Sequence, residues 1–193
     1  APFGVIGKGI FQRVMALKLD WDDLVPEDLR AEFEKWQDAM VGLEKLSIKR
    51  WVATPTTTDS EPELHIFCDA SSIGYGVVAY RRCFDSEGKP HVSFLFGRAN
   101  VVPLEMTRRE ELHHDSIPRL ELVAAKLAVL VRYMIIEEIG EKFKRFFMWT
   151  DSECVINQIR NLKTRHKTLV HNRLTKIREG SDPGEWLHVD TKR

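Results

Sequence analysis

Three acids stand where strands or helices should begin or end: Asp69 closes one apolar run, Asp151 closes another, and Glu121 lies in the first turn of a long helical stripe. Carboxylates that converge on one point can hydrolyse phosphodiesters when two divalent ions about 3.5–4 Å apart sit among them. Magnesium suits such a set, because it prefers carboxylate oxygens, keeps waters and takes substrate phosphate oxygens as further ligands. Each acid also has a plainer use. Asp69 before Ala-Ser-Ser fits an Asx turn, Glu121 is favoured by the helix dipole, and Asp151 before Ser152 fits a helix cap. Spacing alone leaves both uses open.

The elements that must position these acids follow from the apolar pattern. Residues 8–19 read as a short helix through Ile10, Phe11, Val14, Met15 and Leu17. Pro26 opens a second helix, with Leu29, Phe33, Trp36, Met40 and Leu43 on one face. Residues 52–63 are polar, proline-bearing and aperiodic, and mark a linker between a helical segment, 1–51, and a main domain, 64–193. Strands are expected at Leu64–Asp69, Gly74–Cys83 and His91–Gly97, joined by short turns as in an antiparallel meander. A polar loop over 105–116 precedes a helix at 118–139, whose stripe runs Leu120, Val123, Leu127, Leu130, Val131 and Met134. Then come a strand at Phe146–Thr150, helices at 152–161 and 165–179, the Asp182-Pro183-Gly184 turn, and a last strand at Glu185–Val189. The order βββαβααβ implies a mixed α/β sheet with helices on its faces. If strands one and four are neighbours, Asp69 and Asp151 end side by side, and a helix over the sheet can bring Glu121 to them.

Composition sets the outer bounds. The 193 residues are 43% apolar and 30% charged, as in an ordinary globular chain. No apolar run is long enough to span a membrane, and the start lacks the pattern of a secretory signal, so an intracellular, non-secreted protein is expected. The chain does not begin with Met, which reads as an excerpt of a longer protein. Cys68, Cys83 and Cys154 are few, odd in number and dispersed; they read as reduced, with Cys68 and Cys154 as small core residues. Net charge is zero but unevenly spread: residues 20–38 hold eight acids against two bases, and 153–180 hold seven bases against two acids.

Three segments, in this order, narrow the reading: Leu64-His-Ile-Phe-Cys-Asp-Ala-Ser-Ser-Ile-Gly-Tyr-Gly-Val-Val-Ala79, Ser116-Ile-Pro-Arg-Leu-Glu-Leu-Val-Ala-Ala125 and Trp149-Thr-Asp-Ser152. With Phe96–Pro103, Lys167–Ile177 and Glu185–Val189, they closely resemble the ribonuclease H region of BEL/Pao-type retrotransposon polyproteins. Residues 1–50, with Leu19-Asp-Trp-Asp-Asp23, resemble the tail joining that family's reverse transcriptase to its ribonuclease H. The resemblance implies a ribonuclease H-like fold: a five-stranded mixed sheet flanked by helices, with an N-terminal helical extension. It implies Asp69, Glu121 and Asp151 as catalytic residues and as ligands of two Mg²⁺ or Mn²⁺ ions. The activity implied is cleavage of the RNA strand of an RNA–DNA hybrid by in-line attack of water, with reverse transcriptase and other polyprotein domains as partners. Arg98, Arg165, Lys167 and Arg173 are the candidates for holding nucleic-acid phosphates. The family's fourth carboxylate follows an Asn-Pro-Ala-Asp segment, which the sequence does not reach; Asp190 falls several positions early and is not assigned that role.

Other readings are weaker. A catalytically inactive, nucleic-acid-binding or structural remnant of the same polyprotein is the main alternative. An aspartic peptidase would use Asp-Thr-Gly or Asp-Ser-Gly, whereas the triplets here are Asp69-Ala-Ser and Asp151-Ser-Glu. His113-His114-Asp115 lacks partners at ligand spacing and reads as surface. Trp21, Trp36, Trp51 and Trp149 read as core rather than as a base-stacking platform.

Overall fold

The computed structural model describes residues 2–48, 62–103, 116–140 and 142–190. Eight of its elements carry the argument: α1 (Pro2–Ala16), β1 (Glu63–Ala70), β2 (Gly74–Phe84), β3 (Pro90–Val101), α3 (Ser116–Ile139), β4 (Arg145–Thr150), α4 (Glu153–Arg160) and α5 (Thr168–Gly180). Helix α2 (Glu27–Val41) packs on α1, and a short β5 (Trp186–His188) closes the fold. The sheet order is β3-β2-β1-β4-β5, antiparallel across the first three strands and parallel from β1 to β4 to β5. This is the mixed sheet expected from the sequence, and β1 and β4 are neighbours.

Alternation along the strands makes two different faces. One carries Leu64, Ile66 and Cys68 of β1, Val77 and Ala79 of β2 and Met148 of β4, all buried under α3, α4 and α5. The other carries a ladder across β1, β2 and β4: Glu63, Arg82 and Arg145; then His65, Tyr80 and Phe147; then Phe67, Val78 and Trp149. His65 stacks on Phe147 with centroids 4.6 Å apart, and Phe67 stacks on Trp149 at 5.7 Å. Trp149 Nε1 donates to His65 Nδ1 at 3.2 Å, so the neutral ring carries its proton on Nε2, 3.2 Å from Glu63.

The helix-side core differs from the expected stripe. Of α3, Leu120, Leu122, Ala124, Ala125, Ala128, Val129, Val131 and Ile135 are buried, whereas Leu130 is exposed. The alanines let the helix axis approach the sheet closely, which moves the contact face away from the bulkiest residues. Gly180 does the same between α5 and α3, since a Cβ there would lie 2.3 Å from Val129 Cγ1.

Boundaries moved for local reasons. Helix α1 begins at Pro2, six residues before the expected start at 8, because Pro suits a first turn and the interrupting glycines hide the helical period. Gly7 is required there: the indole of Trp36 sits where a Cβ would be, 2.5 Å away, and Trp36 Nε1 donates to Phe3 O at 2.8 Å. Strand β3 is longer than expected at both ends. Glu63 belongs to β1, not to the linker, and residues 52–61 lie outside the described residues. Helix α5 starts at Thr168, so Arg165 and Lys167 precede it. Asn161 Oδ1 accepts from Lys163 N and Thr164 N, which folds 161–164 into a turn instead of a helical one.

Two core expectations are overturned. Trp21 is fully exposed in the turn after α1. Cys154 is exposed because α4 buries Val155, Ile156 and Ile159 instead; Cys68 is buried as expected. Trp36 and Trp149 are half-buried, and Trp51 lies outside the described residues.

Candidate functional site

Phe67 of β1 pairs with Trp149 of β4, so Asp69 and Asp151, two residues further on, leave adjacent parallel strands at matching positions. Both lie on the ladder face. Asp69 Oδ1 accepts from Ala70 N at 2.7 Å. Burial first, and the Asp151 charge second, push the Asp69 carboxyl above the ordinary aspartate value.

Asp151 Oδ1 is buried and accepts no hydrogen bond. A buried carboxylate oxygen without a donor is costly, and a cation is the partner that fits it. The strand end that carries it is held from two sides. Ser152 caps α4 by accepting from Val155 N at 3.2 Å, and His188 Nε2 lies 3.1 Å from Asp151 O.

Glu121 comes from the other side of the sheet, over the strand ends. Ser152 Oγ donates to Glu121 Oε2 at 2.5 Å, tying α3 to the residue after Asp151; because α3 begins at Ser116, Glu121 stands in its second turn and not in the first as expected. The buried thiol of Cys68 senses all three acids. Burial, then Asp69, push it up to about 12, with Asp151 and Glu121 adding to the rise. The fold therefore brings Asp69, Glu121 and Asp151 to one end of the sheet, and the plainer uses of the two aspartates fall to their neighbours: Ser152 caps α4, and Ser71 Oγ accepts from Ile73 N and Gly74 N in the turn after β1.

The triad is not drawn tight. Among the described residues, no three His, Cys, Asp or Glu side chains stand close enough to hold a metal ion as they are. Glu121 Oε2 accepts from the Ser152 hydroxyl. The donor set still fits a hard divalent ion: it is all carboxylate oxygen, one of those oxygens is orphaned, and space is open beside it. A cavity of about 720 Å³ adjoins Asp69 and Asp151, lined also by Val5, Phe67, Gly76 and Trp149 among others. Helix α1 forms its outer wall. Gly74 permits this, because a Cβ there would meet Asn100 O at 2.8 Å and Val5 Cγ1 at 3.0 Å.

The basic candidates are dispersed. Arg98 lies on edge strand β3 opposite Val77, and Arg165 and Lys167 are exposed between α4 and α5. Arg173 is half-buried on α5, and its Nη1 donates to Arg119 O at 3.5 Å. Sequence reasoning missed Ser152 and His188 as supports of the acids. Ser152 was visible as a cap directly after Asp151, whereas the reach of His188 depends on β5 lying beside β4. His113-His114-Asp115 lies outside the described residues.

No curated protein matches the chain. RNase H1 from the halophilic archaeon Halobacterium salinarum is 14% identical, with a TM-score of 0.39 over 67% of this chain and 86% of that one. LC11-RNase H1, solved in complex with an RNA/DNA hybrid, is 15% identical, with a TM-score of 0.42 over 68% of this chain and 86% of its own. A Ppx/GppA protein of Aquifex aeolicus is 14% identical, at a TM-score of 0.31 over 66% of this chain and 35% of that one. Scores this low carry no function across. The family model described as "Pao retrotransposon-like RNaseH-like domain" matches residues 1–152, well over half of the sequence and including all three acids. The chain belongs to the Pao retrotransposon-like RNaseH-like domain family.

Proposed function

We propose that this chain is a metal-dependent endoribonuclease that cleaves the RNA strand of RNA–DNA hybrids, working inside the cell as part of a retroelement polyprotein beside a reverse transcriptase. The observation that carries this reading is the placement of Asp69 and Asp151, each two residues beyond the paired Phe67 and Trp149 of adjacent parallel strands, with Asp151 Oδ1 buried and unpartnered. Asp69, Asp151 and Glu121 would hold Mg²⁺ or Mn²⁺. Bound divalent ions supply Lewis acidity toward the attacking water and the leaving 3′ oxygen. The chain's own part is positional. Ser152 holds Glu121 at the sheet end, and His188 anchors the end of β4 through Asp151 O. Arg98, Arg165, Lys167 and Arg173 hold backbone phosphates, and selection of RNA rests on 2′-hydroxyl contacts across the shallow minor groove.

One observation favours a second reading, an inactive nucleic-acid-binding remnant: the carboxylates are not drawn into a three-ligand group among the described residues. A hybrid labelled on either strand separates the two. With Mg²⁺ or Mn²⁺, the nuclease cuts the RNA strand only, and Asp69→Asn or Asp151→Asn slows cleavage by at least about 10²-fold, the effect of losing several kcal/mol of transition-state stabilisation. Binding without cleavage under both metals establishes the remnant instead.

A further inference from the structure

His65 is buried in the middle strand of the sheet, and both of its ring nitrogens are committed. Nδ1 accepts from the Trp149 indole at 3.2 Å, and Nε2 lies 3.2 Å from Glu63 Oε2. An indole N–H can only donate, so the first of these bonds exists only while Nδ1 carries no proton. The ionisable groups facing the ring are Glu63 on its own strand, Tyr80 and Arg82 on β2, and Arg145 on β4. Glu63 already has cationic partners: Arg145 Nη2 lies 2.7 Å from Oε1, and Arg82 Nη1 lies 3.7 Å from Oε2. A charged imidazole is not needed to neutralise it. Burial outweighs the pull of Glu63 and, with both guanidiniums adding to it, holds His65 below the ordinary histidine value.

Protonation would place a hydrogen on Nδ1, and two N–H groups would then face each other across the bond to Trp149. The bond from Nε2 to Glu63 would persist, since a cation donating to a carboxylate is the stronger pair. Trp149 is therefore the partner that lets go. It is half-buried, so its indole can turn toward water. Its ring stacks on Phe67, with centroids 5.7 Å apart and planes 10° from parallel, and both residues line the cavity beside Asp69 and Asp151.

We propose that His65 is an acid-sensitive latch: neutral, it pins the Trp149 indole against Phe67 and fixes this wall of the cavity; protonated, it drops the indole and loosens the wall. The proposal concerns the ladder face alone and does not depend on the nuclease reading.

The test is proton–nitrogen NMR of the chain from about pH 8 to about pH 4, with the Trp149 indole signal assigned by its loss in Trp149→Phe. That indole N–H should shift upfield in step with protonation of His65, read from the imidazole nitrogens, at a midpoint below the ordinary value of about 6.5. The methyl signals of Val78, beside Phe67 in the same rung, should move with it. The Trp186 indole, which donates to Ser181 Oγ at 2.9 Å, should hold still. His65→Gln keeps an acceptor and cannot titrate, so its Trp149 signal should stay fixed over the whole range. His65→Phe keeps a ring but offers no acceptor. At about pH 7 its Trp149 indole should sit where acid sends that of the unsubstituted chain, and should exchange with solvent about tenfold faster. Stability follows the same sign: with the folded value below the unfolded one, the contribution of His65 is present above about pH 6.5 and is lost as pH falls. The unsubstituted chain should therefore lose more melting temperature than His65→Gln on acidification. Should a variant fail to fold by circular dichroism, the titration of the unsubstituted chain decides. A Trp149 indole signal that holds still while His65 gains its proton overturns the latch, as does a His65 that stays neutral until the chain unfolds in acid.

Discussion

The two faces of the sheet are built from the same strands, one residue out of step, yet they differ in almost every physical respect. On the helix side, Leu64, Ile66, Ala79 and Met148 are wholly buried in a continuous aliphatic core with Leu122, Ala125 and Ile159. On the other side the residues are mostly aromatic or charged, buried at Glu63 and His65, half-buried at Phe67 and Trp149 and exposed at Asp69, with His65 wedged between Glu63 and the indole of Trp149. The rows there run from the ionic group Glu63, Arg82 and Arg145 through two aromatic rungs to the acids Asp69 and Asp151. Stability is concentrated on one face, and the groups able to do chemistry are set at the end of the other. The division lets a charged cluster exist beside a dry core without entering it.

The comparison breaks first at the core. Ile66→Ala should cost about 2–5 kcal/mol, because a fully enclosed site relaxes only in part. Phe67→Leu, its neighbour on the other face, should cost under about 1.5 kcal/mol. Urea denaturation of both variants checks this, and equal losses would mean that the two faces are packed alike. Next in size is Gly180→Ala, where the new methyl meets Val129 and Tyr133. Overpacking of this kind costs about 1–3 kcal/mol and should appear as a lower midpoint with an unchanged slope.

Ser152→Ala removes the α4 cap and should cost about 1 kcal/mol. It also frees Glu121, so hybrid cleavage should change by more than that stability loss explains, whereas Ser152→Thr keeps both bonds.

The smallest effect has the opposite sign. The raised pKa of Asp69 means that the folded state prefers the protonated acid. Its contribution is fully present below the unfolded pKa and is lost as pH rises through the higher folded value. In EDTA, Asp69→Asn should therefore melt slightly above the unsubstituted chain at neutral pH, with the gap closing toward the usual carboxylate range. Adding Mg²⁺ should stabilise only the unsubstituted chain. A variant that melts lower at neutral pH in EDTA would show that Asp69 is held by favourable contacts and not set against Asp151.

Much of this was legible in the residues. The apolar runs ending in Asp69 and Asp151 marked β1 and β4, and the long stripe marked α3, because burial on one face leaves a periodic trace. The resemblance then carried the three acids as a set. What could not be read depends on distant partners. The stripe of α3 pointed to Leu130, but Ala124, Ala125 and Ala128 face the sheet, since close approach selects small residues that a hydrophobicity pattern undervalues. Arg165 and Lys167 looked helical until the Asn161 turn intervened. The bond from Ser152 to Glu121 spans 31 residues, and the meeting of Arg173 with Arg119 spans 54, separations at which periodicity carries no information.

The central claim is that Asp69, Glu121 and Asp151 act as one divalent-ion site. Paramagnetic broadening of amide resonances by substoichiometric Mn²⁺ tests it without any substrate. The account predicts selective loss of the amide signals of Ala70, Leu122 and Ser152, reversed by excess Mg²⁺ and abolished by Asp151→Asn. Broadening spread over surface acids such as Glu137 and Glu138, and unaltered in the Asp151→Asn variant, would contradict it.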